Sequence, residues 1–244
     1  MTTRPHMRVE PAWLTDARAA WAPREDVPLR VTAWMRAPVA FDRDQGLRLE
    51  GALGWIVVAM VTGAPPREAF DGVRVEDYVD IPVPILDTEI AGWRVAMCSD
   101  AMLAPVAAEV VRRRRKKPHP EAMGLAKVQT TGGPWKALDI PTAAWVSPTL
   151  TWYLRGDPAR LRALLAELHA LGRGRSGGLG HVDAWEVEPD ATSLDAWRER
   201  PLPVASVEDA ERLYPERDVR AVGVRAPFWH RAVRTLAACP VAPC

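Results

Sequence analysis

Nine residues, Gly172 to Gly180 (GRGRSGGLG), bring five glycines and two arginines into one stretch. Glycine admits positive φ and lets another molecule approach the main chain closely. Arg173 and Arg175 add planar guanidinium forks that match phosphate oxygens. With these arginines, Gly174, Ser176, Gly177, Gly178 and Gly180 read as a loop that cradles a polyanion through bare N–H groups. Gly177 and Gly178 are the two positions expected to need positive φ and to admit close approach of the polyanion's backbone. An ordinary helix stop needs one glycine, so the stretch exceeds that purpose. Gly172, Gly174 and Gly177 also fit G-x-G-x-x-G, but a dinucleotide fingerprint follows a strand and opens a helix. Here a helical pattern precedes and a strand pattern follows, so that chemistry is excluded.

A second cationic feature is the run Arg112, Arg113, Arg114, Arg115, Lys116 and Lys117, with Lys127 and Lys136 nearby. Formal net charge is only +1, so attraction to a polyanion rests on this clustering and not on a basic surface as a whole. Such a run is often merely solvated; its setting in a Pro- and Gly-rich excursion favours a nucleic-acid arm. Eleven tryptophans are many for 244 residues, and an exposed indole can stack on an unpaired base. Trp135, in TGGPWKA, and Trp34, on the polar face of a strand, are the stacking candidates. His181, directly after the glycine loop, is placed to act as a general base on a ribose hydroxyl, though a lone histidine at a strand start more often has a structural role. His119, between two prolines, is a weaker candidate. No nucleophile with its base and no acid cluster for metal ions is readable, so neither a catalytic residue nor a cofactor is assigned.

Three cysteines, Cys98, Cys239 and Cys244, make no C-x-x-C pair and no even framework, which points to a reducing compartment. The amino terminus lacks the apolar core of a secretory signal. The longest apolar run, Trp55 to Val61, is far short of the roughly 20 residues of a membrane span. A soluble, cytoplasmic chain without membrane partners is expected.

The elements that must position these residues follow from periodicity. Leu29 to Arg36 alternates as a half-buried strand. From Leu49, the residues Leu53, Ile56, Val57 and Met60 recur at helical spacing until Gly63 and the following prolines. Gly92 to Ser99 reads as a second strand, Thr149 to Arg155 as a third and Val182 to Glu188 as a fourth. Asp157 caps a helix with Pro158 first, the leucine stripe Leu161, Leu164, Leu165, Leu168 and Leu171, and Gly172 at its stop. The order is that of a split βαβ, ferredoxin-like α+β fold, with both helices on one face of an antiparallel sheet. Residues 1–27 read as an extension, 28–203 as the domain with an insertion at about 100–147, and 204–244 as a tail that wraps the domain or a partner, with a short helix near Val207 to Leu213.

The segments LRVTAWMRAPVAF, GLRLEGALGWIV, GWRVAMCSDAM, KVQTTGGPWKALDIP, TLTWYLRGDPARLRALLAEL and LGRGRSGGLGHVDAWEV together resemble the RAMP superfamily of CRISPR proteins, over about residues 29–203. More narrowly, they resemble the Cas-five-type subunit of type IV effector complexes. That resemblance implies a ferredoxin-like fold whose inserted thumb is the basic arm near Arg112. It implies a glycine-rich loop on the phosphates of CRISPR RNA, with the subunit capping the 5′ handle. Partners would be filament-forming Cas-seven-type subunits, the large subunit and, indirectly, target DNA. Leu179 departs from relatives that often carry an aromatic there, and the amino-terminal extension and the stretch after 203 depart from the common pattern. A Cas-six-like, metal-independent endoribonuclease that matures the RNA is the alternative, and a single-strand-binding module outside CRISPR is a third reading.

Overall fold

The computed structural model describes residues 12–41, 46–63, 80–104, 107–115, 138–191, 193–226, 228 and 231–241. In chain order its elements are α1 (Ala12–Trp21), β1 (Val27–Met35), α2 (Leu49–Thr62), β2 (Asp87–Ile90), β3 (Trp93–Ala96), β4 (Met102–Leu103), β5 (Ala107–Arg115), β6 (Leu138–Val146), β7 (Thr149–Gly156) and α3 (Pro158–Ala166). They continue with β8 (Val182–Pro189), α4 (Ser193–Ala196), β9 (Leu202–Pro203), α5 (Val207–Leu213), β10 (Asp218–Gly223) and β11 (Arg234–Cys239).

The central sheet has the order β4-β7-β1-β8, antiparallel between every pair of neighbours. Because successive residues of a strand point to opposite faces, Leu29, Val31 and Ala33 share one face. They stand opposite Leu154, Trp152 and Leu150 of β7, and Val31 and Ala33 also face Val187 and Trp185 of β8. Leu53 and Val57 of α2 and Leu161, Leu164 and Leu165 of α3 are buried in the same cluster. Both helices therefore cover that face, each fully buried leucine contributing about 1.5–3 kcal/mol. Helix α3 begins as the sequence predicts: Asp157 Oδ1 accepts from the N–H of Ala159 and of Arg160, both at 3.1 Å, with Pro158 next in line. Gly63, at φ 67°, ends α2.

Several expectations change. Trp93–Ala96 does form a strand, but it folds back on β2 through a turn at Ala91 (φ 48°) and Gly92 (φ 77°). A tight local turn of this kind twists to suit a hairpin. The place beside β7 goes instead to a broken edge in which Cys98 bridges Leu154, and Met102 and Leu103 pair with Thr151 and Leu150. Helix α3 stops at Ala166, not at Gly172. Leu168 and Leu171 stay buried outside the helix: Leu168 N–H closes its last turn on Leu165 O (3.0 Å), then Ala170 bridges His181 and Leu171 N–H donates to Gly180 O at 2.8 Å. Met60 is exposed rather than core. Within the predicted extension, residues 12–21 form a helix that packs on α2 and buries Leu14 and Ala17.

Expected to wrap, the stretch after 203 instead forms a second antiparallel sheet, ordered β10-β11-β9, with α5 against β11. Residues 202–203 belong to it as β9, so the predicted boundary after 203 cuts through this second sheet. This unit is fastened to the central sheet by Arg200, which is fully buried and donates to the carbonyls of Ala96 (2.6 Å), Cys98 (3.0 Å) and Val224 (2.7 Å). Arg200 Nη2 also lies 2.9 Å from Glu50 Oε1 of α2, an ion contact whose angle falls outside hydrogen-bond geometry. Beside it Arg48 donates to Gly223 O and sits 4.4 Å from the centre of the Phe228 ring.

Candidate nucleic-acid interface

Strand β1 leads into a short extended segment, residues 38–40, and both cationic features attach to it. On one side, Gly180 N–H donates to Pro38 O (2.7 Å) and Arg173 N–H to Ala40 O (2.6 Å), which pins the two ends of the glycine loop. On the other, Val39 exchanges both backbone hydrogen bonds with Trp145 of β6. Leu179 of the loop, Ala40 and Ala144 of β6 are buried together, with Val111 of β5 packed against them. The excursion after β4 is an antiparallel hairpin paired from Ala107↔Val146 to Arg115↔Leu138. At roughly 3.4 Å per residue it makes an arm about 25–30 Å long. Arg112, Arg113, Arg114 and Arg115 are the last four residues of β5, at the end away from the central sheet. The arm is thus rooted on the glycine loop.

Inside the loop, residues 175–177 make one 3₁₀ turn between Gly174 (φ 74°) and Gly178 (φ 85°). Three backbone donors turn inward: Gly177 and Leu179 donate to Gly174 O, and Gly178 to Arg175 O. The N–H groups of Arg175 and Ser176 have no backbone acceptor among the described residues, and both residues are exposed. Of the pair expected to need positive φ, only Gly178 does; Gly177 sits in the turn, and a Cβ there would meet nothing within 4 Å. Within the protein, the closest approach falls at Gly180, where a Cβ would lie 1.9 Å from Leu171 O. Arg173 is exposed, while the Arg175 guanidinium rests 4.8 Å from the centre of the half-exposed Trp55 ring on α2.

Trp34 is 48% exposed and stands between Thr149 and Ala184, on the sheet face away from α2 and α3. Thr32 on the same face is buried, whereas Arg30 and Trp34 on either side of it are exposed. His181 is exposed, and its carbonyl accepts from Arg36 N–H at 2.9 Å. Lys116, Lys117, Lys127, Trp135 and Lys136 lie outside the described residues. Among the described residues no three His, Cys, Asp or Glu side chains gather as metal ligands, and no helix is long and apolar enough to cross a membrane.

Sequence reasoning missed two contributors. Leu179 is the one apolar side chain in the loop, which is itself a sign that something there packs. Trp55 falls off the Leu53, Ile56, Val57 stripe of α2, and an aromatic off the buried stripe has to find surface work.

No curated protein matches the chain. A family model described as CRISPR type IV associated protein Csf3 matches residues 95–240, more than half of its length. The match begins later than the resemblance over about 29–203 and runs through the second sheet, so the stretch after 203 is part of the family's pattern after all. It also takes in the arm, the glycine loop and the Arg200 fastening. The chain therefore belongs to the Csf3 family of type IV CRISPR-associated proteins.

Proposed function

We propose that this chain is the CRISPR RNA-binding subunit of a type IV ribonucleoprotein. In that reading it caps the 5′ handle and touches the first Cas-seven-type filament subunit and the large subunit. Contact with target DNA is indirect, and the complex works in the cytoplasm. The observation that carries the reading is the common root of arm and loop: the two dense cationic segments of a nearly neutral chain hang from the two edges of residues 38–40. A strand of phosphates following the arm would be handed directly to the exposed N–H groups of Arg175 and Ser176. An α+β fold with the antiparallel order β4-β7-β1-β8 and two helices on one face is compatible with a ferredoxin-like arrangement, and this supports the RAMP and Cas-five-type reading. No catalytic role is assigned to this subunit.

The test is copurification from cells carrying the complete type IV operon, followed by sequencing of bound RNA. Recovery of RNAs sharing one 5′ handle, abolished when Arg112 to Arg115 are replaced by alanine, is the expected result. Equal recovery with that variant would overturn the reading.

A further inference from the structure

Trp55 belongs to α2, outside the span matched by the family, and its indole is 39% exposed on a helix whose other large side chains mostly turn inward. Over it lies Arg175 at 4.8 Å from the ring centre, brought there by a loop whose ends are pinned at Pro38 and Ala40. A guanidinium stacked on a ring gives one face to the ring and keeps its in-plane N–H edges for other partners. Among the described residues no carboxylate lies within ion-pair distance of Arg175, so none of them neutralises those edges. Five of the nine loop N–H groups donate to backbone carbonyls, and of the other four only those of Arg175 and Ser176 belong to exposed residues, which leaves these two as the part of the loop best presented to an anion.

We infer that Trp55 is the positioning residue of the loop's anion site. It holds the Arg175 guanidinium flat, so that its edge engages a phosphate of single-stranded RNA leaving the arm. This rests on the RNA-binding reading above and extends the interface from the arm and loop onto α2. It also separates the two arginines: Arg175 is held in place before RNA arrives, so a lysine, which lacks the planar fork, does not replace it.

The experiment measures binding of a fluorescein-labelled oligouridylate to the purified full chain by anisotropy, with thermal melting of every variant. Trp55→Leu keeps apolar bulk and removes the ring's electrostatic face; Trp55→Phe restores a weaker one. The loss expected for Trp55→Leu is about two- to five-fold in affinity, largely recovered in Trp55→Phe. Trp55→Leu combined with Arg175→Ala is expected to bind no more weakly than Arg175→Ala alone, since a positioning residue has nothing left to position. The Arg175 Nε–H resonance, shifted by the ring current, should move in Trp55→Leu even without RNA. Wild-type affinity in Trp55→Leu, or losses that simply add, would overturn the inference while leaving the RNA-binding reading intact. Wild-type affinity in the Arg112 to Arg115 alanine variant would strike at that wider reading instead.

Discussion

Glycines of one loop do different jobs, and single substitutions separate them. Gly180 combines φ 70° with a backbone oxygen where its Cβ would be. Alanine there must push the Leu171 peptide aside, and with it the Leu171 N–H that donates to Gly180 O at the neck of the loop. A strained positive φ and a displaced neighbour together cost about 1–3 kcal/mol, a fall of several degrees in melting temperature for a chain of this size. Gly177→Ala is expected to melt like the wild type, because it sits in open space without positive φ. If both variants melt alike, the loop relaxes freely and its conformation is not held by the fold. The buried thiols give a second residue-scale test. Burial holds the Cys98 thiol well above the ordinary thiol range, and burial raises Cys239 as well. In a Cys244→Ser background both should resist alkylation while folded and react once unfolded. The linkage sign follows from the same shifts. Between the unfolded and folded pKa values the unfolded chain binds fewer protons, so the thiols' contribution is complete below the ordinary thiol range and declines as pH rises from there through the folded values. Rapid native alkylation at neutral pH would show that the joint around Cys98 opens.

Among the elements, the arm shows what periodicity conveys and what it omits. Its cationic run is legible because a charge run needs no partner to be seen, but its conformation is not, since Arg112 to Arg115 become strand only by pairing with residues 138–141 across an excursion rich in Pro and Gly. The same principle explains the second strand. Trp93–Ala96 carries the right alternation, yet alternation names a strand without naming its neighbour, and a two-residue turn at Ala91 and Gly92 makes the local partner the nearer one. Helix α3 is legible at its start, where Asp157 and Pro158 act within one turn, and illegible at its end, where long-range pairing of Ala170 with His181 overrides a leucine spacing that continues unbroken. For the arm the consequence is electrostatic. Replacing Arg112 to Arg115 by alanine should weaken RNA binding across sequences and flatten its dependence on salt by about 0.7 for each phosphate no longer neutralised. Because the hairpin's backbone ladder does not depend on side-chain charge, far-UV circular dichroism should stay unchanged. An unaltered salt slope would mean the run is only solvated.

Taken as a whole, the molecule is held together at a joint that no single segment announces. Glu50 at the start of α2, the edge carbonyls of Ala96 and Cys98, the strap ending at Arg200 and the second sheet at Val224 meet around one buried guanidinium. Arg200 and Glu50 lie far apart in sequence, and the segment GLRLEGALGWIV that holds Glu50 does not name its partner, so their meeting could be read only from the fold. A buried ion pair is a weak source of net stability, but removing one partner strands the other charge, at about 3–5 kcal/mol. Arg200→Met is therefore expected to lower the melting temperature by roughly 6–20 °C at about 2–4 °C per kcal/mol, whereas Arg198→Met, half exposed, ion-paired with the exposed Asp195 and lying 4.7 Å from the centre of the Trp197 ring, should change far less. Adding Glu50→Gln to Arg200→Met removes the stranded carboxylate and should recover part of the loss, which a role confined to the Ala96, Cys98 and Val224 carbonyls would not produce. Truncation after 203 removes β10 and β11 and leaves β9 without its partner. It also withdraws the Val224 acceptor from Arg200 and the Phe228 ring from Arg48, so the shortened chain should no longer melt in one cooperative transition. If it instead melts cooperatively near the wild-type temperature and still binds RNA, the second sheet is an independent attachment, and the joint does not couple it to the interface.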